Sequence, residues 1–232
     1  MGAALAIDLA TSEPIARQLT RALRQAIVTM RLRPGEMLSE QDIATKFGVS
    51  RQPVREAFIK LGEAGLIQVL PQRGTLVVKI SRAAVEDARF IREAVECAVV
   101  REVATQLSRA GLASLNDSLA RQRRAAKAQD AEAFFALDEE FHRRLAELAG
   151  RPSAWRVVED VKPQMDRVRF IDMTDAMPMR VLIDQHGAII AALKSADPDA
   201  AEAAMRHHLS EILRSLPRVA QQHADLFDDP AR

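Results

Sequence analysis

The sequence predicts a mainly α-helical chain in two parts: three short helices closed by a β hairpin, then an all-α bundle of about six helices. Three observations carry that expectation. β-type sequence is confined to residues 66–80, LIQVLPQRGTLVVKI, where two apolar, β-branched runs flank Pro71-Gln72-Arg73-Gly74 as in a hairpin. Beyond Ile80 the chain is rich in Ala, Leu, Arg and Glu, with breakers at Gly111, Gly150-Arg151-Pro152, Met177-Pro178 and Asp197-Pro198. Charge also changes sign: residues 1–80 hold 11 Lys/Arg against 7 Asp/Glu, and the remainder holds 22 against 25. The first third is thus suited to meet an anion and the rest is not.

The first helix is expected over residues 13–31, with Ile15, Leu19, Ala22, Leu23 and Ile27 on one stripe, ended by Arg33-Pro34-Gly35. Ser39 caps a second helix, with Asp42 three residues on as a variant capping box. Gly48-Val49-Ser50 forms a short turn, and Ser50 caps a third helix with Pro53 in its first turn. Val54, Ala57, Phe58 and Leu61 are that helix's buried stripe. Arg51, Gln52 and Arg55 cluster at its N-terminal end, on the opposite side. This is where a recognition helix reaches base edges: Arg forks onto guanine and Gln pairs with adenine. Arg73-Gly74 at the hairpin tip sets a guanidinium beside an adjacent groove.

In the second part, helices are expected over 83–108, 111–128, 131–149, 152–171, 178–195 and 197–216, leaving 217–232 as a flexible tail. The third of these carries Asp138 in an otherwise apolar stripe with Phe134, Phe141, Leu145 and Leu148, and His142 follows on the same side. The fifth places His186 with Leu182, Ile189 and Leu193. The last places His208 with Ala201, Met205 and Ile212, while His207 falls on a polar side. One carboxylate and three imidazoles facing one core need compensation, and a divalent metal supplies it. Zinc is the expected ion, with nickel or manganese as alternatives. Arg92, beside Ala88, Val95 and Val99, suits a clamp for the carboxylate of a small effector, and Arg169 is a second candidate.

The whole chain sets limits on these readings. Its 232 residues are 48% apolar and 28% charged, with net charge +1, as in a soluble globular protein rather than a disordered or supercharged one. The single cysteine, Cys97, excludes an intrachain disulfide and fits a reducing compartment. No apolar run of membrane-spanning length occurs, and MGAALAIDLA has no basic leader region, so a cytoplasmic location is expected, without membrane contact. No GxGxxG or GxxxxGK[ST] phosphate loop is present.

The stretch LSEQDIATKFGVSRQPVREAFIKLGEAGLIQVLPQRGTLV resembles the winged helix-turn-helix of the GntR family of bacterial transcription regulators, above all in Val49-Ser50-Arg51-Gln52-Pro53-Val54-Arg55-Glu56-Ala57 and in Arg73-Gly74 of the wing. The resemblance implies a DNA-binding domain over 10–80, with Gln41, Ser50, Arg51, Gln52, Arg55, Arg73 and Gly74 at DNA. Gln52 departs from the family's usual Thr. The segments LDEEFHRRLAELAGRP, DQHGAIIAAL and AEAAMRHHL resemble the metal-binding, all-helical (FCD) ligand domain of the FadR-type branch. That implies a domain over 83–216 that binds an effector, dimerises and holds an ion with Asp138, His142, His186 and His208. The resulting expectation is a homodimeric regulator on a pseudo-palindromic operator in double-stranded DNA, tuned by a small organic acid and not itself an enzyme. Two other readings use the same four ligands: a helical metalloenzyme activating water, and a regulator whose metal is structural only.

Overall fold

The structure is a computed structural model, and it describes residues 13–175 and 178–228. Residues 10–12 of the expected first domain, Met177 of one expected breaker and residues 229–232 of the expected tail lie outside the described residues.

The N-terminal unit packs three helices, α1 (Ile15–Val28), α2 (Glu40–Phe47) and α3 (Arg51–Glu63), against a small sheet. Leu19, Leu23 and Ile27 of α1 meet Ile43, Val54, Phe58 and Leu61 in its core. Ser39 Oγ accepts from the Asp42 amide, as the capping pattern predicts. Gly48 ends α2 with φ +64°, which a residue bearing a Cβ rarely adopts. Ser50 stands at the N-cap of α3 but makes no side-chain capping bond. Ser50 is exposed, so the first amides of α3 are open to solvent and need no side-chain cap.

The hairpin consists of β2 (Ile67–Leu70) and β3 (Gly74–Val77). A two-residue strand, β1 (Met37–Leu38), adds to the free edge of β3 and gives the order β1-β3-β2. β1 is too short for alternation to reveal it in the sequence. Gly74 has φ +103°, which a residue bearing a Cβ rarely adopts, so the tip needs glycine.

Eight helices follow among the described residues: α4 (Arg82–Gln106), α5 (Arg109–Lys127), α6 (Ala131–Leu148), α7 (Pro152–Val161), α8 (Pro163–Asp175), α9 (Met179–Lys194), α10 (Pro198–Leu209) and α11 (Ile212–Gln222). The single helix expected over 152–171 is two, broken at Lys162 by Pro163, which lacks an amide to continue the ladder. The helix expected over 197–216 also divides, at Ser210-Glu211. Gly111 does not break the chain: it lies in the first turn of α5, where a Cβ would come within 2.9 Å of Leu148.

The tail expected to be flexible from residue 217 is structured through residue 228. Ile212, Leu216, Val219 and Ala220 keep helical spacing across Pro217, which sits on the exposed face. Leu226 and Phe227 are then buried, and Phe227 pairs with Ile80 in an isolated parallel bridge. These residues join Met165, Val168 and Ile171 of α8 in a cluster between the two larger cores. Phe227→Ala should lower stability by about 3 kcal/mol, the low end for a buried Phe. Urea unfolding reads this, and an unchanged midpoint would remove the tail from the folded core.

Candidate metal centre

Asp138 and His142 project from α6, His186 from α9 and His208 from α10, and all four are buried. One ligand atom from each lies within 4.8 Å of the others. His142 Nε2 is 3.1 Å from His208 Nε2, and His186 Nε2 is 3.5 Å from Asp138 Oδ1. The helical phase that selects His208 over its neighbour is followed in the fold, where His207 is exposed.

The opposite edge of each imidazole faces a side-chain oxygen. Nδ1 of His186 is 2.8 Å from Gln122 Oε1, and Nδ1 of His208 is 2.8 Å from Gln185 Oε1. Nδ1 of His142 is 2.5 Å from Glu96 Oε2. The amide orientations are fixed independently. Gln122 Nε2 donates to Leu137 O at 3.3 Å, and Gln185 Nε2 donates to Glu211 Oε2 at 3.2 Å. An amide oxygen only accepts, so Nδ1 of His186 and of His208 carries the proton and their Nε2 atoms present lone pairs to the centre.

This arrangement fits a cation. Nε2 of His142 and Nε2 of His208 face each other across 3.1 Å, and both His186 Nε2 and Asp138 Oδ1 are buried without a hydrogen-bond partner. Such atoms are costly to bury unless something binds them. Burial pushes the His186 imidazole down to about 3 and drives His208 well below its ordinary value, which keeps these two donors neutral. Burial opposes ionisation of Asp138, but the Arg169 guanidinium outweighs it and holds the carboxyl well below the usual range.

Arg169, expected as a second effector clamp, is held by carboxylates of its own. It bonds Asp138 through Nη2, and its Nη1 lies 2.9 Å from Glu139 and 3.3 Å from Asp166. Three carboxylates therefore fix it as the partner of Asp138. Arg92 is buried rather than snorkelling: its Nε donates to Glu96 and its Nη2 has no partner. Arg92, Arg169 and His208 line one cavity of about 50 Å³, together with Asp172, Glu211 and Ser215.

Sequence reasoning missed Glu96, Gln122 and Gln185. Glu96 is one helical turn after Arg92, and Gln122 is in phase with Leu115 and Leu119. Those phases were the available signals. Gln185 directly precedes His186 and had none.

On the N-terminal unit, Gln41, Ser50, Arg51, Gln52, Arg55, Arg73 and Gly74 are all exposed. Arg51 Nη2 lies 3.0 Å from Glu40 Oε2, and Arg55 Nε lies 3.4 Å from Glu40 Oε1, so one carboxylate of α2 holds both cations of α3. Gln52 Nε2 donates to Glu56 at 3.0 Å, and Gln41 Nε2 donates to Thr45 at 3.3 Å.

A winged helix-turn-helix with a basic exposed helix end, joined to a helical domain around a buried ligand centre, defines a ligand-binding transcription regulator. Residues 15–77 match the model of the bacterial regulatory proteins of the gntR family, and residues 87–211 match the FCD domain. The chain belongs to the GntR family, as a bacterial transcription regulator with an FCD ligand-binding domain. It is 42% identical over 222 residues to the HTH-type transcriptional repressor RspR of Escherichia coli K12, covering 96% of this chain and 97% of that one. An HTH-type regulator in an unstable DNA locus of Streptomyces ambofaciens is 38% identical over 211 residues, covering 91% and 89%. The solved structure of E. coli McbR/YncC shares the fold, with TM-score 0.77 at 22% identity over 91% of this chain and 99% of that chain. No helix among the described residues is long and apolar enough to cross a membrane.

The neutral histidines set a pH dependence. An exposed imidazole takes up a proton near pH 6.5, whereas folded His186 stays neutral down to about 3. Between those values the unfolded chain binds more protons, so stability is full above about pH 6.5 and falls as the pH drops, by at most about 1.4 kcal/mol per unit for each proton. His208 acts in the same direction. The melting temperature of chelator-treated protein should therefore drop between pH 7 and pH 5, with a shallower slope in His186→Gln. Equal slopes in the two proteins would contradict the buried neutral imidazole.

Proposed function

We propose that this regulator acts in the cytoplasm as a homodimer on a pseudo-palindromic operator, and that a small organic acid bound beside a divalent ion in the FCD domain tunes its DNA affinity. The observation that carries the reading is the unpartnered Arg92 Nη2, buried in the wall of a cavity that also reaches the proposed ligand His208. Asp138, His142, His186 and His208 would hold the ion, zinc by preference and nickel or manganese otherwise. When bound, the ion supplies positive charge and open positions for a carboxylate. Arg92 supplies the hydrogen bond that orients that carboxylate, and Arg169 lines the cavity while holding Asp138. A cavity of about 50 Å³ has room for only a few water-sized groups, which favours a short acid.

The test separates liganding from mere proximity. His186→Ala with His208→Ala should empty the site of metal in elemental analysis and lower the melting temperature, because an ion bound only by the native state stabilises it. His207→Ala should do neither. Thermal shifts against a panel of short organic acids, with and without chelator, then read the effector. A shift that survives complete metal loss would leave the ion a structural role only.

At DNA, Arg51, Gln52 and Arg55 read base edges, Arg73 and Gly74 of the wing approach the adjacent groove, and Gln41 and Ser50 are further contact positions. Arg51→Ala and Arg55→Ala should each weaken binding by about 1–3 kcal/mol if they fork onto guanine. The probe is DNA selected from a random pool by the full-length protein, titrated at fixed salt beside unselected DNA. Unchanged affinity in both variants would dismiss α3 as the reading helix.

A further inference from the structure

Arg167 of α8 is completely buried, and among the described residues no carboxylate pairs with it. Burial pushes its guanidinium down to about 9. An apolar side chain of similar volume would fill the space without that desolvation. What only a guanidinium supplies is a planar fork, and here the fork grips backbone: Nη1 donates to Val78 O at 2.7 Å, and Nη2 reaches Lys79 O at 3.4 Å and Gln164 Oε1.

Gln164, one turn earlier, extends the grip. Its Nε2 donates to Gly65 O at 2.6 Å, just beyond the end of the reading helix α3, and its Oε1 accepts from the Ser81 amide at 3.3 Å. Between these points Ile80 is held by the C-terminal segment, with its amide on Leu226 O at 2.9 Å and its carbonyl on the Asp228 amide at 3.0 Å. The Val78 amide bonds Leu66 O at 3.1 Å. The connection from wing to α4 is therefore bonded residue by residue and is not a free tether.

Two residues beyond Arg167, on the other side of α8, Arg169 bonds the carboxylate of Asp138. One rigid helix thus touches the backbone of the DNA-binding domain with one arginine and a candidate metal ligand with the next.

We propose that Arg167, with Gln164, is the positioning device that sets the pose of the winged domain on the FCD domain, and that α8 ties this pose to the state of Asp138. The second half rests on the reading of Asp138 as a metal ligand; the first half does not.

The test uses the full chain with zinc as the probe. Arg167→Met keeps the volume and removes the fork, Arg167→Lys restores charge without a planar fork, and Gln164→Ala is the milder lesion should Arg167→Met fail to fold. Hydrogen exchange at the Ile80 and Ser81 amides reads the joint, elemental analysis reads the ion, and titration of selected DNA reads the pose. Arg167→Met should keep its zinc, exchange at the joint at least tenfold faster and bind selected DNA at least tenfold more weakly, with Arg167→Lys in between. Gln164→Ala should shift both readouts in the same direction. Wild-type exchange and affinity in both Gln164→Ala and whichever Arg167 variant folds would overturn the positioning role. For the tie through α8, chelation should alter joint exchange in the wild type but not in Arg167→Met. An equal response in both proteins would overturn that tie. If chelation changes nothing in the wild type, the metal-sensing reading fails, and joint exchange in the zinc-free variants still decides the positioning role.

Discussion

The ionised carboxylate of Asp138 is the constraint around which the helical domain is arranged. A buried charge persists only if opposite charge and hydrogen bonds are brought to it. Here one oxygen is met by Arg169 of α8, and the other faces His186 of α9. Arg169 in turn is shared with Glu139 and Asp166, and those two flank Lys162. The signs alternate along this chain, so α6 and α8 cannot slide past each other without leaving a charge unpaired. The three imidazoles are fixed from outside by Glu96, Gln122 and Gln185, which come from α4, α5 and α9. The centre therefore recruits six helices, once α10 with His208 is counted.

What the sequence made legible was whatever local periodicity carries. The stripes of α6, α9 and α10 each hold a polar residue at an apolar position, and that anomaly singles out Asp138, His186 and His208 before any fold is known. The exposed end of α3 is legible for the converse reason, because its cations sit opposite an apolar stripe. The family's motifs then sharpened both readings. Contacts distant along the chain left no such trace. Nothing local in Gln122 says that an imidazole lies against it, and Phe227 reads as one apolar residue in a polar tail until its bridge to Ile80 is formed. The carboxylates that hold Arg169 left no trace for the same reason, since they come from two different helices.

The cluster between the domains alters how the two halves relate. Separate cores joined by a loop would let the winged domain tumble, as interdomain linkers commonly allow. Instead Ile80 and Phe227 are buried with Met165, Val168 and Ile171 in a small core of their own, and the cation–π contact of Arg82 over Phe227, 6.0 Å from the ring centroid, closes its edge. A shift of these packed helices would carry the winged domain with it, without any segment having to order or unfold.

The single carboxylate of Glu40 has a different consequence. It holds Arg51 and Arg55 in the absence of DNA, so these side chains are preset near each other but already neutralised in part. Approach to a phosphate backbone must exchange an internal partner for an external one. That exchange releases fewer condensed counterions from the duplex than two free guanidinium groups would. Where these two side chains meet phosphates, binding is thereby less sensitive to ionic strength than the tally of basic residues in this domain suggests.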